Sequence, residues 1–149
     1  MTRVKLTRNQ LNKIINDDIN SRFSIRSTLQ QVQENISMRE SEIAQENMFS
    51  SDIKALEHIL STLRNMIHEV GTADVNKEIF FNIAAVDEDL INKIVEFNMR
   101  LLSLAKELLN IVQNQFDITI IKEKVNFILN TFHERQNLFE AGKINLRNF

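Results

Sequence analysis

Residues 78–112 read EIFFNIAAVDEDLINKIVEFNMRLLSLAKELLNIV. Apolar side chains recur through this stretch at alternating spacings of four and three: Ile79, Ile83, Val86, Leu90, Ile94, Phe97, Leu101, Leu104, Leu108 and Ile111. At 3.6 residues per turn these positions fall on one stripe of a helix, whereas a strand requires alternation that the stretch never shows. Ile91, Val95, Leu102, Ala105, Leu109 and Val112 widen the stripe. A face that broad touches more than one neighbour, as in the core of a bundle.

Moving outward, the whole chain avoids helix breakers. Its 149 residues contain no proline and only Gly71 and Gly142. These two residue types cost roughly 3 and 1 kcal/mol relative to alanine inside a helix. Hydrophobic residues make up 43% of the chain, enough for one sizeable core. The expected fold is all-α: an antiparallel helical bundle of four main helices with an N-terminal helical arm and a short connecting helix.

The first helical region carries two stripes, Leu11, Ile14, Ile15, Ile19 and then Ile25, Leu29, Val32, Ile36, Ile43. Asn20-Ser21-Arg22-Phe23-Ser24 lies between them and is rich in cap and turn formers, and Ser27 with Gln30 has capping-box spacing. The region reads either as one bent helix of about 40 residues or as a separable arm of about 20 before the first core helix. The expected division is a basic amphipathic arm over 1–23, a bundle over 24–142 and a tail over 143–149. The second helix follows Ser50-Ser51-Asp52, with Ile53, Leu56, Leu60, Leu63, Ile67 and Val70 inward and Gly71 placed to close it. The long repeat reads either as one helix of about 60 Å from Asp74 to Phe116 or as a short connector and a fresh start at Asp87. The acids Asp87-Glu88-Asp89 suit the positive end of a helix dipole and favour the second reading. Asp117 is placed to cap the last helix, which Gly142 is expected to end.

Chemistry is sparse. Without cysteine there are no disulfides, thiolate sites or thiol nucleophiles. His58, His68 and His133 lack a glutamate three residues earlier, so the helical di-iron pattern fails, and none has the second histidine of a zinc-peptidase helix. Asp17-Asp18 and the later acid cluster place neighbours about 100° apart on a helix, which does not converge on one ion; capping and solvation are the expected roles. No glycine-rich phosphate loop is present. The reading is a non-enzymatic protein with no catalytic residue, cofactor or metal.

Two segments carry apolar surface in need of cover. Leu11, Ile14, Ile15, Ile19 and Phe23 in the arm, with Phe80 and Phe81 in the connector, are the candidate partner interface. They either fold back on the bundle, swap into a second copy, or receive a partner helix. The expected function is helical interaction, as an adaptor, chaperone-like protein or oligomeric scaffold that binds a protein partner or itself as a homo-oligomer. No segment has the roughly 18 apolar residues needed to span a bilayer, so no membrane partner is expected and the setting is cytoplasmic. The alternative is a nucleic-acid-associated accessory protein. The arm carries Arg3, Lys5, Arg8 and Lys13 before its first acid, and these are the candidate phosphate contacts. Tyrosine and tryptophan are absent as stacking platforms, and the net charge of −2 argues against general polyanion binding.

Overall fold

The computed structural model describes residues 7–45, 50–72, 82 and 87–147. These form four helices: α1 (Arg8–Gln45), α2 (Ser50–Thr72), α3 (Glu88–Asn114) and α4 (Ile118–Arg147). Helix α1 packs on α2 and α3, and α4 packs on the same two, so α1 and α4 occupy opposite corners of a four-helix assembly. Apart from Asn82, which is helical, the connector around 74–85 expected from sequence, with Phe80 and Phe81, lies outside the described residues.

Local chemistry explains most of the helix starts. Thr7 and Gln10 form a reciprocal capping box, each side chain accepting from the other's backbone N–H at 3.2 and 2.8 Å. Asp87 adopts an extended backbone and accepts from the Leu90 N–H at 3.0 Å, so α3 is a fresh helix beginning beyond Asp87. Asp117 caps α4 through the N–H groups of Thr119 and Ile120 at 2.9 and 3.2 Å.

Of the two readings of the first region the continuous helix is the one seen, and two boundary expectations, at Gly71 and Gly142, are corrected. Helix α1 runs unbroken through Asn20–Ser24 and Ser27–Gln30 for 38 residues, about 57 Å. Tertiary anchors override the weak propensity there. Arg22 is held by the end of α2, and Ile25 is buried in the core that the four helices share. Gly71 lies within the last turn of α2 instead of beyond it. The Val70 carbonyl near that end accepts from Arg22 Nε and Nη2 at 3.3 and 3.1 Å, a cap supplied by another helix. Gly142 is buried inside α4, which continues to Arg147, so 143–147 is helix and not tail.

The buried apolar side chains fall into two groups. The larger draws on all four helices, with Leu29, Leu56, Leu63, Ala105, Leu108 and Ile121 fully sealed. Each large aliphatic side chain buried there is worth roughly 1.5–3 kcal/mol relative to exposure. The smaller contains Leu11 and Ile15 of α1 with Ile91 and Ile94 of α3, flanked by Ile14, Ile19, Leu90, Leu138 and Phe139. Along α3 the inward line is Ile91, Ile94, Asn98, Leu101, Leu104, Ala105, Leu108 and Val112. The buried face is therefore rotated from the predicted stripe: Phe97 is half-buried and its neighbour Asn98 points in.

Candidate functional site

Between the two apolar groups the helices turn polar side chains inward. Asp18 follows Ile15 by three residues, Asn98 follows Ile94 by four, and Arg135 follows Phe132 by three, so each holds a position on a buried stripe. Their exposures are 2%, 1% and 6%. The three close a ring across three helices. Arg135 Nη2 donates to Asp18 Oδ1 at 2.7 Å, and Arg135 Nε donates to Asn98 Oδ1 at 2.5 Å. Asn98 Nδ2 completes the ring by donating to the same Asp18 oxygen. Arg22 Nη1 stands 3.7 Å from Asp18 Oδ2 and extends the cluster to the end of α2.

One carboxylate thus lies between two guanidiniums, with an amide matching donor to acceptor. A buried charge needs this arrangement, since an isolated one costs far more than a polar group left without a partner. Among the described residues no buried side-chain nitrogen or oxygen lacks a hydrogen-bond partner. The space beside the cluster, bounded by Arg22, Val70, Asn98, Leu101 and Arg135, measures about 10 Å³. That is near the minimum for a single water and far below the volume of a small-molecule site. The geometry is that of a clamp, holding side chains against one another.

A second concavity is a shallow groove of about 410 Å³ between α1 and α2, lined by Ser37, Glu40, Ser41, Glu57, Leu60, Ser61 and Arg64. Its rim carries both signs of charge. His58, His68 and His133 are all exposed, and no group of three or more metal-ligating side chains gathers among the described residues.

The interface residues expected from sequence separate. Leu11 and Ile15 are buried against Ile91 and Ile94, and Ile14 and Ile19 pack at the margin of that group. For these four the chain itself supplies cover. Phe23, one residue beyond Arg22, is 63% exposed. Of the candidate phosphate contacts, Arg8 and Lys13 are exposed on the first turns of α1, while Arg3 and Lys5 lie outside the described residues. No described helix is long and apolar enough to cross a membrane.

Sequence reasoning missed the clamp. Capping and solvation are the roles expected of Asp18, and no sequence motif marks Asn98 or Arg135. The usable signal was a polar residue interrupting the apolar stripe on each of three helices, with one acid, one base and one amide among them. No protein-family model matches this sequence, and neither a curated protein nor a solved structure is significantly similar to it.

Proposed function

We propose that this protein is a non-enzymatic, cytoplasmic helical interaction protein, an adaptor or chaperone-like scaffold that associates with another polypeptide or with a second copy of itself. In this reading the helices form an antiparallel bundle, and association uses large apolar side chains on its outer faces. The segment 1–23 makes the first contact.

The observation that carries the reading is Phe23. Among the described members of the candidate interface it is the one that intramolecular packing leaves most open, at 63% exposure. Met38, Met99 and Phe127 are also more than half exposed, on α1, α3 and α4. Aromatic and methionine side chains are enriched where proteins meet, because they desolvate a large area and, for methionine, adapt to the opposing shape. The inward faces of the same helices are already filled, so these outward residues have no use in the chain's own core.

Light scattering with refractive-index detection across a concentration series tests this. The chain has neither tryptophan nor tyrosine, so strong near-ultraviolet absorbance in the peak belongs to a bound molecule. The expected result is a mass that rises with concentration and falls toward the monomer in Phe23→Ala/Phe127→Ala. The unfolding free energy should stay within about 0.5 kcal/mol, as for surface substitutions. A constant monomer mass in both proteins overturns self-association. A nucleotide-like absorbance lost at high salt favours the nucleic-acid alternative, in which Arg3, Lys5, Arg8 and Lys13 contact phosphates.

A further inference from the structure

The four helices are tied by connections of unequal length. Helices α3 and α4 are joined by residues 115–117, and α1 and α2 by residues 46–49. Links this short hold each sequence-adjacent pair near one alignment. The two pairs are separated in sequence by residues 73–87, a longer stretch than the link within either pair. Apolar packing by itself specifies the alignment of one pair against the other less sharply than directional bonds do. The inward lines of α1, α3 and α4 repeat isoleucine, leucine and valine at helical spacing, so a displaced pair still sets aliphatic groups against aliphatic groups. Cores accept hydrophobic rearrangement of similar volume and lose uniqueness before they lose stability.

The bonds of the clamp fall across the junction between the two pairs. Asp18 belongs to the α1/α2 pair, whereas Asn98 and Arg135 belong to the α3/α4 pair. A slide of one turn moves the partners about 5.4 Å apart. It would leave a buried carboxylate and a buried guanidinium facing side chains such as Leu101 and Phe132, which flank the present site. Every displaced arrangement is thereby penalised, even where its aliphatic contacts are as good. We infer that Asp18, Asn98 and Arg135 form a register lock between the α1/α2 and α3/α4 pairs, selecting one alignment of the bundle in preference to adding stability. The inference is independent of what the outer surface binds.

Distances between spin labels test the lock. The chain has no cysteine, so labels placed through Asn12→Cys on α1 and Asn137→Cys on α4, both exposed positions, report one defined pair. Dilution with unlabelled protein keeps the measurement within single chains. The parent should show one narrow distance distribution. Asp18→Leu/Asn98→Leu/Arg135→Met should keep its helical circular dichroism and its urea midpoint while showing a broadened or multiple distribution. Asp18→Asn/Arg135→Gln, which retains the volume of the layer without this charge pair, should also show multiple distances. A single parental distance in the apolar triple variant overturns the inference. Loss of helical signal in both variants also overturns it, because the cluster would then be a source of stability and not of register.

Discussion

Leu63 and Asp18 are both sealed from water, at 0% and 2% exposure, but they hold the bundle together by different means. Leu63 sits among aliphatic side chains from all four helices, where attraction is non-directional and scales with area removed from water. Asp18 sits where one oxygen accepts from both Asn98 and Arg135, an attraction that depends on direction and on the identity of both partners. The apolar region is tolerant and favours compactness. The ionic layer is intolerant of losing one partner alone and favours one compact arrangement over others.

The sharpest way to break this contrast is Asp18→Asn. The substitution preserves shape but removes the negative charge between Arg22 and Arg135. Breaking a buried ion pair from one side costs about 3–5 kcal/mol, because the remaining charge stays desolvated. Urea unfolding followed by circular dichroism should show this loss, and a loss under about 1 kcal/mol would mean that water reaches the cluster. Leu63→Ala should come next. It removes a fully buried side chain and leaves a partial cavity, for a loss of about 3 kcal/mol within the usual 2–5 kcal/mol range. The two should differ in their rescue: adding Arg135→Gln to Asp18→Asn should recover part of the stability, since it removes a stranded charge. Adding it to Leu63→Ala should only deepen the loss.

The same contrast explains what could be read from sequence. The apolar stripes of α2, α3 and α4 were legible because burial of aliphatic groups imposes a helical period that no partner has to specify. The starts at Asp87 and Asp117 were legible because an N-cap acts over three residues. The clamp was not, because its members are 37, 80 and 117 residues apart in sequence and each is meaningful only beside the others. Without its partners, Asn98 looks like a polar residue next to a better core candidate, Phe97. The end of α2 was misplaced for the same reason. Gly71 suggested a local stop, while the chain satisfies the Val70 carbonyl from Arg22, 48 residues away. The first stripe of α1 was visible, but its cover by Ile91 and Ile94 depends on helix placement that a one-dimensional pattern does not contain.

The smallest expected effect comes from an ion pair that resembles the clamp in chemistry and differs in surroundings. Lys124 on α4 reaches Glu107 on α3 at 3.2 Å, and the side chains are 36% and 53% exposed. Both charges keep much of their hydration when the pair breaks, and their attraction is screened by water and salt. A double-mutant cycle through Lys124→Met and Glu107→Gln should give a coupling of about 0.2–1 kcal/mol that shrinks further in high salt. The corresponding cycle through Asp18→Asn and Arg135→Gln should give a larger coupling that changes little with salt, because burial excludes the screening ions. If the two cycles returned similar energies and similar salt dependence, burial would not be what distinguishes the clamp. The contrast between the two regions would then reduce to a difference in distance between charges.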